Sequence, residues 1–287
     1  MRRRLLIPIV IAATFLLPIF GAGEVLSHHA HRSIGTPPPD LSAQNIKFHD
    51  GTGQSISGWM VHGKPGAGVV LLLHGVRADR REMLGRARFL KQLDYSVLLI
   101  DLPAHGESSG EYISYGLKEA QGVKSALTYL ARTLPSEKVG VIGVSLGAAA
   151  LVLAKPTPAP SAVVLESMFP TIREAVTDRL NLYLGSAGEY LAPLLLWQMP
   201  LRFSISPDQL RPIQELAAWH APILIAAGAI DQHTTLAETK RIFAAANQPK
   251  QLWVVDAAAH VDLHAFDTKT YEAKISTFLA QHLRTGS

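Results

Sequence analysis

The sequence predicts an α/β domain built on a mostly parallel β-sheet with helices on both faces. Two observations lead to this fold class. Short, continuous apolar runs alternate with segments of helical periodicity along most of the chain, a pattern typical of strands that are buried on both faces and joined by helices. The loops after three of these runs carry serine, aspartate and histidine, at the edge where open α/β sheets bind their ligands.

The elements follow one another in a regular order. Two strands are predicted first, in NIKFH and SISGWMVH, on either side of a turn at 50–53. Buried strands are then predicted at 69–73, 96–100, 139–144, 162–166, 223–227 and 251–256. Helices are predicted near 80–93, 115–131, 236–246 and 271–283, and in the alanine-rich run after residue 145. The long connection at about 168–218 predicts a helical cap insertion.

Composition limits the possible classes of function. The chain has 287 residues, of which 17% are charged and 48% hydrophobic, which indicates a globular protein with a sizeable core. Arg2, Arg3 and Arg4 supply three of the +4 net charges, and no basic stripe interleaved with aromatic residues follows, so we expect no nucleic-acid partner. The absence of cysteine excludes disulfides, thiolate metal sites and a cysteine nucleophile.

The N-terminal segment, residues 1–26, is predicted to reach the membrane. The three arginines precede an uncharged stretch at 5–23, whose 19 residues would span about 28 Å as a helix, close to the thickness of the bilayer hydrocarbon. The stretch is longer than a signal-peptide core and lacks a clean cleavage site. We expect a single-pass anchor in the cell membrane with the domain outside the cytoplasm, and export after cleavage is the alternative.

Residues 27–44 are predicted to link this segment to the domain, which covers 45–287. The proline run at 37–39 favours an extended spacer. His28, His29 and His31 lie in this linker without carboxylate partners, so we expect a solvated tether and no metal site.

The motif GVSLG, residues 143–147, joins a predicted strand to a predicted helix. In that context G-x-S-x-G holds its serine on a tight turn, where glycines leave room for the neighbouring backbone. Ser145 is therefore either a nucleophile or a serine that caps the helix, and the later loops decide between these interpretations.

Asp231 and His260 each follow a separate, later strand, in AGAIDQHTT and DAAAHVDLH. The chain order of serine, aspartate and histidine is the one expected of a hydrolase triad, in which histidine is the general base and aspartate orients it. This agreement favours Ser145 as the nucleophile. The competing acids and bases nearby are Asp256, Asp262, His233 and His264.

An oxyanion hole requires two backbone donors. The residue after the nucleophile, Leu146, is predicted to supply one N–H. Val76, in the loop HGVRADRREM after the strand at 69–73, is the candidate for the other. His74 in the same loop is predicted to hold that loop in place and not to act as a base.

Six segments together resemble the α/β-hydrolase superfamily: LLLHGVRADRREMLGRARFL, LLIDLPAHGESSGEYISYG, VIGVSLGAAA, VVLESMFPTI, GAIDQHTT and AAAHVDLH. The resemblance covers about residues 45–283 and is strongest to membrane-anchored or exported bacterial serine hydrolases described as Bem46-like or cephalosporin-C-deacetylase-like. It implies a doubly wound eight-stranded sheet, hydrolysis of esters or related acyl bonds, and no cofactor. It also implies the roles given above for the triad and for the oxyanion hole.

We therefore expect a serine hydrolase that cleaves a small-molecule acyl substrate through an acyl-enzyme. A peptidase or acyltransferase with the same triad is the alternative, and a non-catalytic anchored binding protein is less favoured. The cap is markedly apolar, and Leu195, Trp197 and Met199 are tentative substrate-binding residues. These side chains fit equally well a cap that packs on the core, an acyl-binding wall for a hydrophobic ester, or a face that touches the membrane.

Overall fold

The computed structural model describes residues 17–284. The apolar stretch predicted as an anchor, 5–23, lies mostly outside these described residues. A helix, α1, occupies residues 17–27. Between residues 17 and 284, no helix combines the length and the apolar character needed to cross a membrane.

The described chain folds around one eight-stranded sheet. Its strands are β1 Gln44–His49, β2 Ser55–Val61, β3 Val69–Leu73, β4 Ser96–Ile100, β5 Val139–Val144, β6 Ala162–Glu166, β7 Ile223–Gly228 and β8 Lys250–Val255. The spatial order is β1-β2-β4-β3-β5-β6-β7-β8. Neighbouring strands are parallel except at β2, which runs antiparallel to β1 and β4. The predicted fold class is confirmed, and each predicted strand agrees with the structure to within one residue at each end.

Helices cover both faces of the sheet. They are α2 Leu84–Gln92, α3 Leu117–Thr133, α4 Leu146–Ala154, α5 Ile172–Leu184, α6 Ala187–Phe203, α7 Leu236–Ala245 and α8 Thr268–Leu283. Side chains of a buried strand alternate between two apolar layers. In β3, Leu71 and Leu73 enter the layer under α3 and α4, whereas Val70 and Leu72 enter the layer under α2 and α8.

The cap is a helical hairpin of α5 and α6, inserted between β6 and β7. A third apolar cluster lies beneath it, formed by Ile172, Leu196, Met199, Ile205 and Leu210. Helix α1 packs beside α6, where the Gln198 side-chain amide donates to the Ile19 carbonyl at 3.0 Å.

The segment after α1 is bound to the domain and is not a free spacer. Ala30–His31 pairs in parallel with His105–Gly106. The Glu107 carboxylate accepts hydrogen bonds from the backbone N–H of Ile34 at 3.0 Å and of Gly35 at 3.2 Å. These partners satisfy backbone groups that a solvated tether would leave to water, which explains why the residues before the proline run lie against the body.

Candidate active site

Ser145 lies on a sharp turn between β5 and α4. Its backbone has φ 48° and ψ −108°, a left-handed conformation that is costly for a residue with a side chain. Its N–H donates to the Glu166 carbonyl at 2.8 Å, which fixes the turn against the end of β6. The side chain makes no capping hydrogen bond to α4, so the hydroxyl does not act as the helix cap, which was the alternative to a nucleophile.

The glycines of the motif allow this turn to approach its neighbours. A Cβ on Gly143 would lie 2.7 Å from the Ala148 nitrogen, and one on Gly147 would lie 2.6 Å from the Leu73 carbonyl oxygen. Both distances are too short for a methyl group. The alanine-rich start of α4 can therefore pack directly on the sheet, and the turn projects Ser145 beyond the carboxyl ends of the strands.

Asp231 and His260 form a hydrogen-bonded pair in the loops after β7 and β8. The His260 Nδ1 lies 2.8 Å from Asp231 Oδ2. The buried Asp231 carboxylate also accepts from the N–H of His233 at 2.8 Å and from the N–H and hydroxyl of Thr234 at 3.0 and 2.9 Å. These bonds fix the carboxylate in one orientation, and the carboxylate in turn orients the imidazole.

The electrostatics of the pair determine which histidine nitrogen carries the proton. Burial favours the neutral acid, but the hydrogen bond and charge of His260 and the donors of His233 and Thr234 outweigh it and hold the pKa of Asp231 below its usual value. An ionised carboxylate accepts hydrogen bonds and donates none. The Nδ1 of His260 is therefore the donor, which leaves Nε2 available to accept a proton in the neutral ring.

The predicted oxyanion donors are Leu146, which follows Ser145 directly, and Val76, which lies in the loop after β3. Leu146 is the first residue of α4, where backbone N–H groups have no partner within the helix. Val76 lines the same cavity as Ser145 and His260. A Cβ on Gly75 would lie 3.9 Å from the Ser145 Cβ, so the loop after β3 directly faces the serine.

His74 and Glu82 hold the loop after β3. Nε2 of His74 accepts from the Leu102 N–H at 3.0 Å, and Nδ1 lies 2.7 Å from the Gly75 carbonyl. Burial, followed by the charge of His105, lowers the pKa of His74 to about 3, so this ring is neutral and structural, in line with the prediction. The Glu82 carboxylate accepts from the Gly75 N–H at 2.6 Å, a contact that the sequence did not suggest.

These loops enclose a cavity of about 210 Å³ above Ser145. Its lining combines valine side chains with charged side chains. The lining residues are Gly75, Val76, Glu82, Arg86, Val144, Ser145, Ser167, Arg179, His260, Val261 and Asp262. Serine, histidine and one predicted oxyanion donor thus share one small space, with Asp231 behind the histidine.

Comparison with known proteins places the chain in a family. The model of the Alpha/beta hydrolase family matches residues 70–275, well over half of the chain. The chain belongs to the alpha/beta hydrolase family. The uncharacterized protein Rv2307c of Mycobacterium tuberculosis is 31% identical over 233 residues, which cover 80% of this chain and 76% of that protein. The uncharacterized protein YqkD of Bacillus subtilis is 22% identical over 231 residues, covering 79% and 76% of the two chains.

Solved structures share the fold. The esterase PF2001 of Pyrococcus furiosus has a TM-score of 0.74 at 23% identity, covering 90% of this chain and 98% of that one. The esterase RhEst1 of a Rhodococcus species has a TM-score of 0.60 at 17% identity, covering 83% of this chain and 99% of that one. These likenesses show the fold, and the family match supports a hydrolase activity for the chain.

Within this alpha/beta hydrolase, the competing acids and bases have other surroundings. Asp256 is exposed. Asp262 pairs with Arg86 at 2.8 Å, and His264 lies 3.1 Å from Glu272. Among the described residues, Asp231 is the carboxylate that lies in ion-pair distance of His260. The ring of His233 lies 5.0 Å from that of His260, beside the pair.

An ion-pair network that lines the hydrolase cavity through Arg86 and Asp262 was not predicted. Arg86 Nη2 donates to Glu166 at 2.6 Å, Tyr271 donates to the same carboxylate at 2.5 Å, and Arg86 Nη1 lies 2.8 Å from Asp262. Arg86 and Glu166 are each 1% exposed. The sequence signal was an acid at the end of an otherwise apolar strand, since such an acid needs a buried cationic partner.

The structure does not bring the tentative substrate-binding residues to Ser145. Leu195 and Met199 line a space of about 40 Å³ between α1 and α6, together with Ile172 and Phe203. Trp197 is 57% exposed on the opposite side of α6. Their role in substrate binding stays a prediction. The side chains around Ser145 come instead from the ends of the strands and the loops after them, from Arg86 of α2 and from Arg179 of α5.

The linker histidines stack on one another. Ring centroids of His28 and His29, and of His29 and His31, are each 4.2 Å apart. Within residues 17–284 no group of three histidine, cysteine, aspartate or glutamate residues is arranged to hold a metal ion.

Proposed function

We propose that the chain is a serine hydrolase that cleaves carboxylic ester or related acyl bonds. Ser145 is the nucleophile, His260 the general base and Asp231 the residue that orients the base. The observation that carries the proposal is the 2.8 Å contact between His260 Nδ1 and Asp231 Oδ2, since His260 lines the same cavity as Ser145 on its strained turn.

The proposed reaction has two steps. Ser145 Oγ attacks the carbonyl carbon while Nε2 of His260 takes the hydroxyl proton. The tetrahedral intermediate collapses, the bond to the alcohol breaks, and the alcohol leaves with the proton that His260 held. Water then attacks the acyl-enzyme by the same route, with its proton passing to His260 and then to Ser145, and the free acid leaves.

Backbone donors stabilise the charge that develops on the carbonyl oxygen. The N–H groups of Leu146 and Val76 form the proposed oxyanion hole, and the N-terminus of α4 adds a favourable dipole. Loss of one such donor lowers turnover by roughly 100- to 1000-fold in other hydrolases. The Gly75–Glu82 hydrogen bond supports this function, because it fixes the loop that presents Val76.

The size of the cavity favours a compact acyl group. Its volume is about 210 Å³, and its apolar lining consists of Val76, Val144 and Val261. A long acyl chain would have to extend past the charged side chains that also line this space, such as Arg179. We therefore propose short, apolar acyl esters as the substrate class.

A fluorophosphonate probe tests the nucleophile. We expect the wild-type protein to be labelled and Ser145→Ala to lose labelling and ester hydrolysis together. Ser167→Ala is the matched control, because Ser167 lines the same cavity, also has a left-handed backbone with φ 46°, and has a buried hydroxyl without a partner among the described residues. Full labelling of Ser145→Ala would refute the assignment, and an unreactive wild-type protein would favour a non-catalytic role.

Turnover of p-nitrophenyl esters of increasing chain length tests the substrate class. We expect kcat/KM to be highest for the shortest acyl chains and to fall as the chain outgrows the cavity. Acyl transfer to an added alcohol in preference to water, or cleavage of peptides, would identify an acyltransferase or a peptidase with the same triad.

For location, we propose a bacterial membrane-anchored enzyme of the Bem46-like type, with its catalytic domain outside the cytoplasm. Support comes from the three arginines and the uncharged stretch at 5–23. Protease treatment of intact cells tests it: digestion of the domain without lysis is the expected result, and protection until lysis would contradict the proposed orientation.

A further inference from the structure

We propose that the outer face of α6 docks onto the surface of a lipid bilayer beside the N-terminal segment. This outer face consists of Tyr190, Leu194, Trp197 and Leu201. The inference rests on the proposed membrane anchor and adds a second contact with the bilayer, made by the cap itself.

The four side chains form a continuous stripe along one side of the helix. Their spacing of four, three and four residues places them on one face at the 3.6-residue period of an α-helix, over a length of about 16 Å. Their exposed fractions are 79% for Tyr190, 42% for Leu194, 57% for Trp197 and 66% for Leu201. Large apolar side chains this exposed and this close together mark an interaction surface.

The opposite side of α6 already has a partner. Ala192, Leu196 and Met199 are 1%, 4% and 5% exposed, and Leu196 and Met199 pack in the apolar cluster under the cap. The 17 residues of α6 include just two charged side chains, Glu189 and Arg202. A helix that is apolar on both sides is typical of one buried on both sides, whereas within residues 17–284 the outer face stays largely exposed, with Phe20 of α1 against Trp197.

The end of α5, just before the turn into α6, also exposes large apolar side chains. Leu182, Tyr183 and Leu184 at the end of α5 are 41%, 72% and 50% exposed. Tyrosine and tryptophan are favoured where an apolar surface meets the polar headgroups of a membrane, because their rings are apolar and their ends form hydrogen bonds.

The path of the chain before and through α1 favours lipid as the partner of the outer face. Phe20 of α1 packs edge-on against Trp197 with ring centroids 6.2 Å apart, and Ile19 accepts a hydrogen bond from Gln198. Leu17, the first described residue, is 70% exposed, and the twelve residues before it, 5–16, are all uncharged. An apolar segment that joins α1 next to Trp197 brings the outer face to any bilayer that the segment enters.

Fluorescence quenching by brominated lipids tests the docking. The full chain is reconstituted into phosphatidylcholine–phosphatidylglycerol vesicles in which the acyl chains are brominated close to the headgroups, the depth that an interfacial helix reaches. Trp59 and Trp219 are 1% and 5% exposed, so Trp197 is the tryptophan most accessible to lipid. We expect loss of Trp197 emission in the wild type and no corresponding loss in Trp197→Phe, whereas Trp253→Phe, the control, retains the quenching.

A stripe variant separates docking from simple tethering. Tyr190→Ser, Leu194→Ser and Leu201→Ser together keep Trp197 and the N-terminal segment. We expect this variant to stay on the vesicles but lose quenching, with fluorophosphonate labelling of Ser145 and turnover of a short soluble ester unchanged. The single variant Leu201→Ser, with a partial loss of quenching, serves the same purpose should the triple variant fold poorly.

The outcomes distinguish this proposal from the proposed function. Vesicle-bound wild-type protein whose Trp197 is not quenched would overturn the docking, as would equal quenching in the wild type and the stripe variants. A dimer in which a second copy shields Trp197 from the lipid would also overturn it. Loss of labelling in the wild-type protein would defeat the hydrolase assignment and leave the quenching result standing.

Discussion

Replacing Asp231 with asparagine tests the orientation of the base without removing the side chain. In the wild-type protein, Oδ1 accepts from the N–H groups of His233 and Thr234, and Oδ2 accepts from His260 Nδ1. An asparagine can keep its oxygen toward the two backbone donors. Its NH₂ group then points at His260, so Nδ1 must become an acceptor and the proton moves to Nε2. That tautomer cannot accept the proton of Ser145.

The expected loss of turnover in Asp231→Asn follows from this change of tautomer. In the serine protease triad the equivalent change of tautomer lowers kcat about 10⁴-fold, which corresponds to about 5.4 kcal/mol of transition-state stabilisation. Because both backbone donors keep an acceptor, we expect Asp231→Asn to remain folded, with a loss in the free energy of unfolding below about 3 kcal/mol. Asp231→Ala would leave those two donors without their acceptor and would cost roughly 1–3 kcal/mol for each.

The assay is the steady-state hydrolysis of a short p-nitrophenyl ester, with urea unfolding measured on the same preparations. Asp256→Asn is the control, since this carboxylate also follows a strand but is exposed. We expect the control to keep wild-type turnover. Near-wild-type turnover of Asp231→Asn, or a comparable loss in Asp256→Asn, would refute the assignment of the orienting acid.

Two further predictions concern charged groups that are buried or partly buried. Arg86→Met leaves Glu166, which is 1% exposed, without its cation, so we expect urea unfolding to show a loss of about 3–5 kcal/mol. The control is Arg88→Met, which breaks an exposed ion pair with Asp40 and is expected to cost less than about 1 kcal/mol. Equal losses would contradict the role of the network. Burial and the carboxylate of Glu238 raise the pKa of Asp178 from 3.8 to about 7. The protonated carboxyl therefore contributes to the free energy of unfolding fully below pH 3.8, and this contribution is lost as the pH rises through about 7. Asp178→Asn is expected to flatten this part of the stability profile measured by urea unfolding, and an unchanged profile would refute the shift.

The fold was largely predictable because its signals are local. Runs such as 69–73 and 139–144 are apolar throughout, and only a strand covered on both faces buries every side chain of such a run. The loops that carry Ser145, Asp231 and His260 follow directly from those strands. The structure places the three loops at one edge of the sheet, which is where parallel strands put their carboxyl ends.

The features that the sequence did not predict depend on contacts between distant parts of the chain. Arg86 meets Glu166 and Tyr271, which are 80 and 185 residues away, and no local pattern pairs one arginine with one acid over such separations. In α6 the sequence is apolar on two sides, so it could not tell that Met199 faces the cluster under the cap while Trp197 faces outward. Ala30–His31 likewise pairs with His105–Gly106, a segment about 75 residues away that the local sequence does not mark as its partner.

Glu166 connects the two loops on which the proposed chemistry depends. Its carbonyl accepts the N–H of Ser145 at 2.8 Å, while its carboxylate binds Arg86, and Arg86 pairs with Asp262, two residues after His260. The nucleophile turn is thus bound to Glu166 directly, and the histidine loop is bound to it through Arg86. Because a buried charge that loses its partner forces its surroundings to rearrange, loss of Arg86 affects the distance between serine and histidine as well as stability. We therefore expect kcat of Arg86→Met to fall even at temperatures where the variant is fully folded.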